Sequence, residues 1–327
     1  MPELTYLQAI RQALVDEMNR DPTVLLLGED IAQYGGAFKL TEGLVDVYGP
    51  GRVIDTPITE AGLLGAAAGA ALMGLRPIVE MQFIDFISCA FNQLTNLVAK
   101  FHYRTGKPLP LVVRGPAGAG VNAGPFHSQS PEPYFLHTPG LKIVAPATPS
   151  DAMGLLKAAI RDPNPVIYLE YKRLYRRLKE TIPPERTHAI VPIGEAAVIR
   201  RGSDISVLTY GQMVHLCLEA AQQLEVSDGI ELEIVDLRTI RPLDERTILS
   251  SVRRTNKAMI VHEPPRIGGP AGEIIARINE LAFDYLDGPI LRVTAKDTPV
   301  PYSSPLEEAF LPRVTDIVDA ARWLARF

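Results

Sequence analysis

At 327 residues, 46% of them hydrophobic, the chain is long enough for two domains that each bury a sizeable core. Its 33 basic and 38 acidic residues leave a net charge of −5 and are interspersed rather than blocked, which excludes an electrostatic footprint for nucleic acid. The most apolar run, residues 61–75, is too short to cross a bilayer core of roughly 30 Å, so it reads as a buried helix and a membrane-spanning role is excluded. Strand-forming runs alternate with helical patterns nearly throughout, which predicts an α/β fold of two domains, each a mostly parallel sheet flanked by helices.

A helix is expected first, at about 5–19, where Leu7, Ile10, Leu14 and Met18 recur at helical spacing. A strand at 24–27 follows and is broken by Gly28 and the Gly35-Gly36 pair. Further strands are expected at 53–55, 77–82, 111–114, 143–145 and 166–170, with helices at about 61–74, 86–103 and 150–161. These complete a first domain over 1–185. The stretch 172–195 holds charged residues and Pro183-Pro184 without periodicity, which marks a linker. A second domain over 195–327 should carry strands near 205–210, 232–237, 259–262 and 291–294, with helices near 212–224, 244–254, 271–285 and 314–325. Cys89 and Cys217 fall in different domains with no disulfide or zinc spacing, and both read as core residues. The start, Met1-Pro2-Glu3-Leu4, lacks the basic and apolar segments of a signal peptide, which makes a cytoplasmic location the expectation.

Three settings could carry chemistry. Glu60 ends the stretch Asp55-Thr56-Pro57-Ile58-Thr59-Glu60 and leads into Gly62, Gly65 and Gly69. It reads either as a first-turn glutamate favouring the helix dipole, with Thr59 as cap, or as a carboxyl packed where small residues let another backbone approach. His127 stands in the irregular stretch 115–133, which contains four glycines and four prolines and is longer than a connector needs. Its imidazole suits a proton donor near neutral pH, or it is an exposed loop histidine. Gln82, Phe83, Asp85 and Phe86 follow a strand, where ligand contacts collect in open α/β sheets and where ordinary packing also falls. His262, at a strand end, is intermediate. No dinucleotide fingerprint, Walker loop, nucleophile elbow or His-Glu-x-x-His motif is present. Residue physics alone therefore stops at a two-domain α/β protein with a ligand loop.

Five segments go further: Leu27-Gly28-Glu29-Asp30, Asp55 to Glu60, Glu80-Met81-Gln82-Phe83-Ile84-Asp85-Phe86, His127-Ser128-Gln129-Ser130-Pro131-Glu132, and Val235-Asp236-Leu237-Arg238-Thr239-Ile240. In order and spacing, the chain resembles the β subunit of the thiamin-diphosphate-dependent decarboxylating component of 2-oxo acid dehydrogenase complexes. The Gln82 and His127 segments and Leu174-Tyr175-Arg176 look most like the branched-chain (2-oxoisovalerate) enzymes, with pyruvate and acetoin relatives little different. The sequence departs from the family at Gly124-Pro125-Phe126, where polar or aromatic residues are the rule.

The resemblance implies a transketolase-like pyrimidine-binding domain followed by a transketolase C-terminal-like domain. It implies oxidative decarboxylation of a branched-chain 2-oxo acid and reductive acylation of the lipoyl group of an acyltransferase component. Glu60 would contact the pyrimidine ring nitrogen of the cofactor and share a proton with it, with Ile58, Gln82 and Phe86 lining the ring. Burial should raise the Glu60 pKa, prevailing over the helix N-terminus. His127 would donate a proton during acyl transfer. The acidic Gly-Asp-Gly turn and downstream Asn that hold magnesium and pyrophosphate in such enzymes are absent, so an α subunit, in an α2β2 heterotetramer, should supply them. The family also places potassium after the 150–161 helix, which by residue match would lie among Leu111, Ala159, Asp162 and Asn164. The second domain should make β–β contacts and receive the peripheral binding domain of the acyltransferase, with the Phe327 carboxylate as a candidate contact. Pyruvate and acetoin dehydrogenase β subunits and a transketolase-like enzyme are the enzyme alternatives. A regulatory or scaffolding subunit that keeps the fold would have lost Glu60 or His127, and both are present.

Overall fold

The computed structural model describes residues 3–327. In chain order its first elements are β1 (Glu3–Thr5), α1 (Tyr6–Arg20), β2 (Val24–Gly28), α2 (Leu44–Tyr48), β3 (Val53–Asp55), α3 (Glu60–Leu72) and β4 (Arg76–Glu80). Next come α4 (Ala99–Thr105), β5 (Val112–Ala117), α5 (Glu132–Leu136), β6 (Lys142–Val144), α6 (Pro149–Arg161), β7 (Val166–Tyr171), β8 (Lys179–Thr181) and α7 (Pro184–Thr187). The remainder is β9 (Ala197–Arg200), β10 (Ile205–Thr209), α8 (Met213–Asp228), β11 (Leu232–Asp236), β12 (Thr239–Arg241), α9 (Glu245–Thr255) and β13 (Ala258–Pro265). Then α10 (Ala271–Ala282), β14 (Leu291–Ala295), α11 (Ser304–Phe310) and α12 (Val314–Leu324) close the chain.

The chain divides into two compact units, one of residues 1–117 with 134–193, the other of 118–133 with 194–327. The glycine-rich stretch, which the sequence reading leaves inside the first domain, thus groups from 118 to 133 with the second unit. In the first unit the strands lie in the order β6-β7-β5-β4-β2-β3, and every adjacent pair is parallel. A parallel sheet is covered on both faces, and β2, β5 and β7 are accordingly buried along their whole length. Because Gly28 pairs with both Asp55 and Glu80, β2, β3 and β4 end level at one edge. Gly28 is needed there: a Cβ would lie 2.9 Å from the Glu80 carbonyl oxygen. Thr5 and Gln8 form a reciprocal cap on α1, and the Thr148 hydroxyl caps α6.

The second unit holds a sheet of order β14-β13-β10-β11-β9, parallel except for β9. Its core is Val207, Ile234, Met259 and Val261 from the sheet against Cys217, Leu224, Ile317 and Leu324 from the helices. The predicted mixture of parallel sheets and flanking helices is therefore borne out in both units.

Three sequence expectations are corrected. The single helix expected at 86–103 is a 3-10 segment (Ile84–Ala90), a π turn (Gln93–Val98) and α4; the Thr95 hydroxyl bonds back to the Phe91 carbonyl at 2.8 Å, a contact that bends helices. Cys89 is exposed while Cys217 is buried, because the short 3-10 segment turns Ser88 and Cys89 outward. The apolar run at 61–75 is buried on one face only: Leu63, Leu64, Ala67, Ala68 and Ala71 face the core, whereas Gly62, Ala66, Gly69, Leu72 and Met73 are exposed.

Candidate functional site

In the first unit, the candidate residues gather at the carboxyl edge of the sheet, because each follows the end of a parallel strand. Glu29 follows β2, Ile58 and Glu60 follow β3, and Gln82 and Phe86 follow β4. The turn after β2 is tied to β3 by the Asp55 carboxylate, which accepts the Ala32 N–H at 2.7 Å, and by Thr56 N–H to the Gly28 carbonyl at 2.9 Å. Glu60 is the first residue of α3, where the helix dipole favours a negative charge. Thr59 does not cap the helix with its hydroxyl, as expected from sequence. Burial, then the neighbouring Glu60 and Asp30 carboxylates, push the Glu29 pKa up.

Glu60 itself is half-buried, so the chain's own residues do not supply the full burial expected for its carboxyl. Ile58 is 83% exposed, an apolar side chain projecting beside an acid. Gln82 and Phe86 are half-buried, and Phe86 sits edge-on to Phe83, which packs likewise on Phe38. Beneath this edge lies a buried ion cluster: the Arg114 guanidinium pairs with Glu80 and Glu170, and Tyr175 donates to Glu170 at 2.6 Å. Burial raises the Glu80 pKa, with Glu170 adding to it and Arg114 opposing it.

A carboxyl, an amide, an aromatic ring and an exposed aliphatic side chain on one sheet edge fit a flat, nitrogen-bearing heterocycle. Among the described residues no three His, Cys, Asp or Glu side chains form a group that could hold a metal ion. The four residues matched to potassium lie near one another around the end of α6. The Leu111 carbonyl accepts Val166 N–H at 2.9 Å, and the Ala159 carbonyl accepts Asp162 N–H at 3.3 Å. The Asn164 Oδ1 is buried with no hydrogen-bond partner, which suits a monovalent cation, although Lys142 already pairs with the Asp162 carboxylate.

His127 belongs to the second unit and is half-buried in the loop 118–133, its backbone N–H donating to the Gly124 carbonyl at 3.4 Å. Ser128 beside it is buried. The loop rests on residues that sequence reasoning missed, at the carboxyl ends of β10 and β13. Glu132 is fully buried, accepts the Tyr210 hydroxyl at 3.0 Å, and has its pKa pushed up to about 7 by burial and by Glu263 against its own backbone N–H and Tyr210. Glu263 accepts the Ala119 N–H and the Gln212 side-chain amide. The signal for Tyr210 and Glu263 was their place at strand ends, where loops return. His262 is buried, donates from Nδ1 to the Pro264 carbonyl at 3.0 Å, and is pushed down to about 4 by burial, so it is a neutral core residue.

Comparison with known proteins adds the following. Residues 2–177 match the family described as transketolase, pyrimidine binding domain, and residues 194–317 the family described as transketolase, C-terminal domain. The 2-oxoisovalerate dehydrogenase subunit beta of Bacillus subtilis (strain 168) is 45% identical over 330 residues, covering 100% of both chains. The pyruvate dehydrogenase E1 component subunit beta of Rickettsia felis is 44% identical over 325 residues, covering 98% of each. Among solved structures, a split gene transketolase, inactive beta4 tetramer, matches with a TM-score of 0.81 at 22% identity, over 99% of this chain and 98% of that one. At that identity the likeness speaks for the fold alone.

Proposed function

The chain belongs to the family of β subunits of the first component of 2-oxo acid dehydrogenases, and from that premise we propose that, with an α subunit, it decarboxylates a branched-chain 2-oxo acid oxidatively and passes the acyl group to the lipoyl group of an acyltransferase. The observation that carries this reading is Glu60, held as the first residue of α3 on the same sheet edge as Gln82 and Phe86. Thiamin diphosphate, the cofactor the family implies, supplies an electron sink for decarboxylation when bound.

Glu60 would hold a proton at the pyrimidine ring nitrogen. Ile58 and Phe86 would cover the ring and exclude water, and Gln82 would hydrogen-bond its edge. His127 would deliver a proton to the lipoyl sulfur as the acyl group arrives. Magnesium and the pyrophosphate are assigned to the α chain, in an α2β2 assembly, since this sequence lacks the acidic turn for them. Potassium is assigned to the oxygens of Leu111, Ala159, Asp162 and Asn164, supported by the orphaned Asn164 oxygen. The exposed small-residue face of α3 supports contact with another chain. Residues 1–185 would form the pyrimidine-binding domain and 195–327 the domain for β–β contact and acyltransferase docking. No helix among the described residues is long and apolar enough to cross a membrane, and both cysteines are free thiols, in keeping with the proposed cytoplasmic location.

The test is co-expression with the α-like partner, followed by decarboxylation assays on 3-methyl-2-oxobutanoate and pyruvate and a carbon–carbon cleavage assay on acetoin, which has no carboxylate to lose, all read with an artificial electron acceptor. The branched-chain substrate should give the highest kcat/KM. Preference for pyruvate, which the 44% identical pyruvate dehydrogenase relative favours as second reading, would replace the substrate class and leave the reaction type standing.

A further inference from the structure

The loop that carries His127 is held by side chains of its own unit far along the chain. Glu307 on α11 is 3% exposed, and its two carboxylate oxygens accept the N–H groups of Gly120 at 3.0 Å and Asn122 at 2.9 Å. Backbone donors in an irregular loop have no ladder partner, so a side-chain acceptor ties them down, and an ionised acceptor makes the stronger bond. Ala119, just before, packs in an apolar cluster with Ala295, Val300, Phe310 and Leu311. At the far side of the turn, the ring of Tyr302 lies so close to Gly124 that a Cβ there would come within 2.0 Å of it. Gly124 also has φ +70°, a conformation that suits glycine. This contact leaves no room for a side chain at Gly124, since the space it would use is filled by Tyr302.

We propose that Glu307 and Tyr302 are positioning residues for His127: the 302–307 segment fixes the course of residues 119–124 and so places the imidazole, three residues on, for acyl transfer. The proposal rests on the role given to His127 above. It involves no contact of Glu307 or Tyr302 with substrate or cofactor.

The experiment compares Glu307→Ala, Glu307→Gln and Tyr302→Ala with His127→Ala in the enzyme assembled with its α subunit. Two activities are read, lipoyl acylation and decarboxylation with an artificial electron acceptor, together with amide hydrogen exchange over residues 119–128. Glu307→Ala should speed exchange in the loop and lower acylation on the order of 10- to 100-fold, the scale of a small misplacement of a catalytic group, with a smaller loss of decarboxylation. Glu307→Gln keeps one acceptor oxygen and should fall between Glu307→Ala and wild type. If Glu307→Ala does not fold, Tyr302→Ala carries the test, because Tyr302 is 59% exposed. Wild-type exchange and acylation in these variants, with His127→Ala impaired more in acylation than in decarboxylation, overturns the proposal and leaves the reading of His127 intact. Equal loss in both assays by His127→Ala overturns that reading instead, and loop exchange in Glu307→Ala then still decides whether the segment holds the loop.

Discussion

Single side chains here differ in how far the sequence alone could assign them. Glu60 and His127 carry no local signature beyond a helix-start acid and a loop imidazole, and they stand out only because five segments recur in family order. His127→Ala should lower lipoyl acylation by about 10²–10⁴, the usual loss for an acid-base group, with less effect on decarboxylation measured with an artificial acceptor. Arg114 illustrates the opposite case. Nothing in its sequence setting marks it, yet it lies 2% exposed between the carboxylates of Glu80 and Glu170. Charge partners so distant in sequence leave no local pattern to read. Replacing Arg114 by Ala strands two buried acids, so the unfolding free energy from urea melts should drop by about 3–5 kcal/mol. A drop within the range of ordinary surface substitutions would show that the cluster is already neutral.

Elements with strong periodicity were legible, and those set by local irregularity were not. The pattern of Leu7, Ile10, Leu14 and Met18 gave α1 because each faces the core, and β3 followed from a short β-branched run ended by Asp55. The helix at 86–103 was misread because the π turn and the 3-10 segment keep apolar residues near helical spacing while changing the winding. The burial of Glu132 and His262 also escaped the sequence, although His262 was placed at a strand end, because it arises from packing between segments distant along the chain. Their titration gives a prediction at this scale. Glu132 has its pKa raised from 4.5 to about 7, so the stability it contributes is complete below about pH 4.5 and is lost as pH rises through 7. His262 has its pKa lowered from 6.5 to about 4, so its contribution is complete above about pH 6.5 and is lost as pH falls through 4. Between pH 4.5 and 6.5 the two oppose each other. Glu132→Gln should unmask the histidine, and urea melts of the full chain should lose up to roughly 3 kcal/mol on acidification across that window. A variant whose pH dependence matches wild type would contradict the buried state of either group.

At the scale of the whole molecule, the two-unit α/β organisation was legible from alternating strand and helix patterns, whereas the grouping of residues 118–133 with the second unit was not. Contiguity in sequence places that loop with β5, while its buried donors are satisfied by Glu263 and Glu307 from beyond residue 194. The face of α3 that remains exposed, and a Glu60 only half-buried, support the proposal that another polypeptide completes the site. The most direct measurement is hydrogen–deuterium exchange at the thiazolium carbon of thiamin diphosphate, with the isolated chain, the enzyme assembled with its α subunit, and the assembled Glu60→Gln variant. Exchange should be accelerated only in the assembled wild-type enzyme, with Glu60→Gln slower on the order of 10²-fold or more. Acceleration by the isolated chain, or a Glu60→Gln enzyme that exchanges at the wild-type rate, would contradict the account.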